Sequence, residues 1–153
     1  MDWANQISIV IPVAPGDESW KILLSQLEPL KGHAEILFSL VEPSAAIEEL
    51  SQQKQIKVIY GLKGRARQMN LGAAQADRGV LWFLHADTQL TGNSLSVLER
   101  VLTARWDGIL FFKLKFFDGP LLMPLTAFGV NLRNRLFKLP FGDQGFVIKK
   151  ETF

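Results

Sequence analysis

No cysteine occurs anywhere in the 153 residues, and that absence excludes disulfides, thiolate zinc sites and a cysteine nucleophile. No apolar run reaches the length of a membrane span, because Lys113, Lys115 and Asp118 interrupt the longest apolar stretch. The N-terminal MDWANQISIVIPV has neither a basic region nor a small-residue cleavage site, so a signal peptide is not expected. Internal repeats and low-complexity segments are absent, as are zinc-finger and RNA-recognition signatures. Also missing are a G-x-G-x-x-G and the Gly-Lys-Ser/Thr of a Walker loop. These absences leave the expectation of a soluble, cytoplasmic protein that does not bind nucleic acid.

What is present is ordinary in bulk. The length predicts one domain with a substantial core. An apolar fraction of 48% against 21% charged is that of a globular chain, not a disordered one. The net charge of +2 conceals an asymmetry. Residues 1–53 carry eight acids against two bases, a net of −6, whereas residues 54–153 carry fifteen bases against seven acids, a net of +8. A basic half suits nucleic acid, an anionic membrane surface or a phosphorylated ligand.

Hydrophobic periodicity divides the chain into alternating elements. Ile7 to Val13 is a β-branched run that stops at the turn Ala14-Pro15-Gly16-Asp17, so it reads as a strand. Asp17 or Ser19 caps a helix with Trp20, Leu23, Leu24, Leu27 and Leu30 at helical spacing, ending near Pro29 and Gly32. Residues 35–41 form a second strand, Ser44 caps a short helix, and Ile56 to Tyr60 is a third strand. Residues 61–64 then lead into a helix ending near Ala76, and residues 79–84 form the fourth strand. Strands alternating with helices in this way predict βαβ units and a mainly parallel sheet. Thr91, Asn93 or Ser94 opens another helix. Residues 109–117 alternate as a half-exposed strand, a helix follows Pro120 and Pro124 to about Lys138, and residues 146–148 make a last short strand.

The strand at Val80-Leu81-Trp82-Phe83-Leu84 is continuously apolar, as expected of one buried on both faces, and it ends abruptly at His85-Ala86-Asp87-Thr88. In open α/β sheets ligands bind beyond the carboxyl ends of the strands. A carboxylate at Asp87 is placed to hold a divalent cation against a phosphate. Asp87 could instead be a turn residue or a helix cap, although Thr91, Asn93 and Ser94 are better placed to cap. His85 could be a ligand, or a satisfied core histidine. The segment Lys63-Gly64-Arg65-Ala66-Arg67-Gln68-Met69-Asn70 opens a helix, and a helix N-terminus with two arginines suits an anion. The plainer reading is a solvated helix start, with Ala66, Met69 and Ala73 packing inward. Phe141-Gly142-Asp143-Gln144-Gly145 sets an acid and an amide between glycines, either a simple turn or a loop bearing a general base. Leu125, Phe128, Leu132 and Leu136 form one helical stripe, which could pack on the sheet or lie on an anionic membrane.

Taken in order, SIVIPV, GRARQMNLGAA, VLWFLHADT and PFGDQG resemble the family 2 glycosyltransferases. They are most similar to the bacterial subgroup often found beside radical-SAM and selenium-associated genes, and the resemblance covers nearly the whole chain. It implies an α/β fold of the GT-A type, with a Rossmann-like, mainly parallel central sheet flanked by helices. Residues 1–153 would form a single domain, with 1–90 the nucleotide-sugar-binding half and 91–153 a short acceptor-side half. The implied reaction is inverting transfer of a sugar from a nucleoside-diphosphate sugar to an acceptor hydroxyl, dependent on Mg²⁺ or Mn²⁺. By position the resemblance assigns Asp87, with His85, to the metal and Asp143 to the catalytic base. Pro12, Gly64, Arg65, Arg67, Asn70, Ala86 and Gln144 fall to the donor. A peripheral membrane contact through residues 120–138 is a further expectation.

Three features depart from the family pattern. Ala14-Pro15-Gly16 stands where an Asn-Glu pair usually follows the first strand, and residues 39–44 (SLVEPS) replace an Asp-Gly-Gly-Ser type turn after the second. The chain also stops at Phe153, where relatives continue. Two alternatives therefore accompany the transferase reading: a non-catalytic GT-A binding module and a sugar nucleotidyltransferase.

Overall fold

The computed structural model describes residues 2–53, 55–112 and 145–153. Within them six strands and four α-helices alternate: β1 (Ile7–Pro12), α1 (Trp20–Gln26), β2 (Glu35–Leu40), α2 (Ala45–Leu50), β3 (Ile56–Tyr60), α3 (Arg65–Gln75), β4 (Val80–Phe83), α4 (Ser94–Thr103), β5 (Ile109–Phe111) and β6 (Phe146–Lys149). The strands form one sheet in the order β3-β2-β1-β4-β6-β5. The β3–β2, β2–β1 and β1–β4 pairs are parallel, as the βαβ alternation predicted, while β6 runs antiparallel to both β4 and β5. Strand β4 is buried along its length, yet only one of its neighbours is parallel, so its apolar run reports double-sided burial and not the direction of pairing.

Alternation along the strands assigns their side chains to two layers. Ile7, Ile9, Ile11, Ile36, Phe38 and Trp82 pack with Trp20 and Leu23 of α1, Ile47 of α2 and Leu98 and Leu102 of α4. On the other face Val10, Leu37, Leu81, Phe83 and Ile148 pack with Ala73 of α3 and with Ala76. Trp20 meets Phe38 edge-on at 5.6 Å between ring centroids. Fully burying such a side chain contributes on the order of 1.5–3 kcal/mol. Helix α3 lies very close to β1 at Gly72, where an added Cβ would stand 2.3 Å from Val10 Cγ1.

Several local expectations shift. Helix α1 ends at Gln26 and gives way to a 3-10 turn at Glu28–Leu30, because Pro29 has no N–H to continue the α ladder. Ser19 and Ser44 occupy N-cap positions without a side-chain cap bond, and Asp17 Oδ1 instead accepts from the Ser19 N–H at 2.9 Å. On α3 the inward residues are Gln68, Gly72 and Ala73, while Ala66 is exposed and Met69 half-buried. The sheet's approach at Gly72 sets that phase. The expected strand over 109–117 is described only to Phe112, and the expected helix before Lys138 lies outside the described residues. Among the described residues no helix is long and apolar enough to cross a membrane.

Candidate functional site

A cleft of about 240 Å³ opens beyond the carboxyl ends of β1, β2 and β4. One wall is the turn after β1, with Pro12, Ala14, Pro15 and Asp17, and Val41 after β2 adds an apolar patch beside it. The loop after β3 and the first turn of α3 contribute Lys63, Gly64, Arg65 and Gln68, and the turn after β4 contributes His85, Ala86 and Asp87. A second hollow of about 190 Å³ adjoins it, shares Ala14, Pro15, Asp17 and Val41, and extends to Glu42 and Ser44.

Each wall has a local cause. Gly64 is the N-cap of α3 with φ +133°, a backbone region that only glycine enters readily, and the helix start has no side-chain cap bond. The first N–H groups of an eleven-residue helix therefore begin beside Lys63 and Arg65. The His85–Thr88 turn closes on itself: the Thr88 N–H donates to the His85 carbonyl at 3.0 Å, and the His85 N–H donates to Thr88 Oγ1 at 3.1 Å. His85 and Ala86 are thereby tucked in and Asp87 is turned outward, exposed at the cleft. Strand β4 is carried to this point by the Leu84 N–H, which bonds the Val10 carbonyl at 3.1 Å.

Of the residues singled out in the sequence, Pro12, Gly64, Arg65, His85, Ala86 and Asp87 line this cleft together. Arg67 and Asn70 do not line it; both are exposed on α3. Asp143 and Gln144 lie outside the described residues, as does the 120–138 segment expected to touch a membrane. Asp87 does not cap α4, whose N-cap is Asn93 and has no side-chain cap bond. For a metal the cleft offers the carboxylates of Asp17 and Asp87 and the His85 imidazole. Among the described residues no three His, Cys, Asp or Glu side chains converge as a ligand group. One or two carboxylates nevertheless fit Mg²⁺ or Mn²⁺ of the kind completed by a substrate's phosphates.

Two arrangements go beyond the motif reading, the first at a residue of the Lys63–Asn70 segment itself. Gln68 is buried and lines the cleft, and its Nε2 donates to the Val13 carbonyl at 3.0 Å and to the Ser39 carbonyl at 2.6 Å. The one available signal is a polar residue in the middle of the small-residue face formed by Gly72 and Ala76. At the opposite end of the sheet, Glu35 is 3% exposed and accepts from Ser8 Oγ and from the Asp77 N–H at 2.8 Å. Lys57 Nζ stands 2.6 Å from Glu35 and 2.5 Å from Asp77. Bonding to Asp77 and Glu35 raises the Lys57 pKa above 10.5, and bonding to Lys57 lowers that of Asp77 below 3.8.

No protein-family model matches the chain, and no curated protein does. Solved structures do. The mannosyltransferase PcManGT from Pyrobaculum calidifontis, in complex with GDP-Man and Mn²⁺, superposes with a TM-score of 0.69 at 13% identity, covering 95% of this chain and 45% of that one. Glucosyl-3-phosphoglycerate synthase from Mycobacterium tuberculosis, in complex with UDP, gives 0.63 at 14% identity over 96% of this chain and 57% of its own. TarS 1–349 from S. aureus gives 0.63 at 16% identity over 75% of this chain and 37% of its own. The chain thus spans roughly a third to somewhat over half the length of these proteins. Identities this low speak to architecture, and the chain has the Rossmann-like GT-A fold.

Proposed function

We propose that this chain binds a nucleoside-diphosphate sugar in the cleft and transfers the sugar, with inversion, to an acceptor hydroxyl. The observation that carries the reading is the convergence of Lys63, Arg65 and the N-terminal end of α3 with Asp87 at the carboxyl ends of parallel strands. Cationic side chains and helix N–H groups suit a diphosphate. The GT-A fold and the GDP-Man and UDP complexes of its structural neighbours support the same ligand class. The GRARQMN, FLHADT and GDQG blocks point to the radical-SAM- and selenium-associated subgroup.

In this reading Arg65 and Lys63 hold the diphosphate, and Asp87, with His85 from the same turn, is the metal ligand of the chain. A divalent cation bound there with the donor would neutralise charge growing on the leaving diphosphate. The reading assigns Asp143 to accept the proton of the acceptor hydroxyl and Gln144 to the donor, both outside the described residues. The acceptor oxygen forms its bond to the anomeric carbon while the carbon–oxygen bond to the β-phosphate breaks. The electron pair leaves on the nucleoside diphosphate, and one displacement inverts the centre.

A non-catalytic binding module is the second reading, favoured by the apolar Ala14, Pro15 and Val41 that line the cleft after β1 and β2. Calorimetric titration with UDP, GDP and their sugar conjugates, with and without Mn²⁺, tests the donor site. Metal-dependent binding of one nucleotide is expected, and no binding to any of them would overturn the reading. Release of a nucleoside diphosphate marks transfer, whereas pyrophosphate released from a nucleoside triphosphate and sugar phosphate would mark a nucleotidyltransferase. Asp143→Asn should retain donor affinity and lose transfer; normal turnover in that variant would place the base elsewhere.

A further inference from the structure

We infer that Gln68 is the positioning residue of the cleft, its side-chain amide fixing the carboxyl ends of β1 and β2 at the spacing a diphosphate needs. The inference rests on the donor-site reading just given.

Strand β1 ends at Pro12, and just past it the Val13 N–H still bonds the Ser39 carbonyl at 3.0 Å. A carboxamide has two N–H donors on one nitrogen. Gln68 directs both at this junction, one to the Val13 carbonyl at 3.0 Å and one to the Ser39 carbonyl at 2.6 Å. With 6% exposure it does so where water cannot substitute freely. The same residue begins the ladder of α3, its N–H donating to the Gly64 carbonyl at 2.9 Å. Three segments are thereby joined through one residue: the turn after β1, the end of β2, and the helix start that carries Gly64 and Arg65. A lysine or arginine here would bring unneeded charge against two carbonyls. Glutamate would turn acceptor oxygens on them, and methionine would leave both without this donor.

Gln68→Met and Gln68→Glu are the test variants, with Leu98→Ala as a control that destabilises the far layer of the core. Hydrogen exchange read amide by amide should show the Val13 N–H exchanging about tenfold faster in Gln68→Met, as two buried hydrogen bonds are lost. The Ile9 and Val10 amides should stay near their wild-type rates, and Leu98→Ala should not reproduce the pattern. Titration with UDP or GDP and Mn²⁺ should show the affinity of Gln68→Met and of Gln68→Glu lowered by about tenfold or more. Unchanged exchange at Val13, or unchanged nucleotide affinity beside a wild type that binds, overturns the inference. If the wild type binds no nucleotide the donor reading has failed, and the exchange at Val13 alone decides whether Gln68 sets the cleft's geometry. If Gln68→Met does not fold, the same readings on Gln68→Glu stand in its place.

Discussion

Lys57 stands between two carboxylates with different surroundings, and this decides what each is worth. Its side chain is 40% exposed and that of Asp77 69%, so solvent screens their pairing. Glu35 is buried, and removing Lys57 would leave its charge to Ser8 and the Asp77 N–H alone. Lys57→Met should therefore lower stability more than Asp77→Asn, measured by urea denaturation at pH 7. The pH dependence has a defined sign. Asp77 is depressed below 3.8, so its contribution is present above that value and is lost as pH falls through its folded pKa. Lys57 is raised above 10.5, so its contribution is complete below that value and fades as pH rises through its folded pKa. Asp77→Asn should flatten the acid limb of the stability profile below about pH 4; an unchanged limb would show that the pair contributes nothing there. Nothing in the motifs hinted at this network, because Glu35 and Lys57 each looked like a strand residue and met only when β2 and β3 paired.

At the scale of elements, α3 combines the tightest packing and the most chemistry. Gly72 permits the approach to β1, since a Cβ there would press on Val10 Cγ1. Gly72→Ala should cost about 1–3 kcal/mol through overpacking. Adding Val10→Ala should return part of that loss, and a double variant no more stable than the single one would refute the steric account. The helix itself was legible from Gly64 and the apolar spacing after it. Its rotation was not: Ala66 and Gln68 are both compatible with an inward place, and contact with the sheet decides that Gln68 takes it. Arg65 and Arg67 are two residues apart, and residues so spaced do not share a helix face. Arg65 lines the cleft, while Arg67 is exposed and does not line it.

Over the whole molecule, the cleft draws on both electrostatic halves of the chain. Asp17 comes from the acidic part and Lys63, Arg65 and Asp87 from the basic part. Binding that draws these segments together should raise the unfolding temperature. At a nucleotide concentration a hundred times the Kd, linkage stabilises by about 2.7 kcal/mol. For a chain of this size that corresponds to an increase on the order of 5–10 °C. A thermal melt with UDP or GDP and Mn²⁺ should show the shift, and chelation of the metal or Asp87→Ala should remove most of it. A full shift in Asp87→Ala would take Asp87 out of the site.

The alternation of apolar runs with helical spacing was enough to determine five of the six described strands closely, the four described helices and the α/β class, because burial periodicity is a local property of sequence. The positions of Gly64 and of His85-Ala86-Asp87 at strand and helix ends followed from the same pattern. Tertiary structure decided the rest. It set β6 antiparallel beside β4, turned Gln68 inward against two carbonyls, placed Arg67 and Asn70 outside the cleft, and brought Glu35, Lys57 and Asp77 into one network. Strand direction, helix rotation and long-range ion pairs depend on which elements become neighbours, and pairings across tens of residues leave no mark in a short window of sequence.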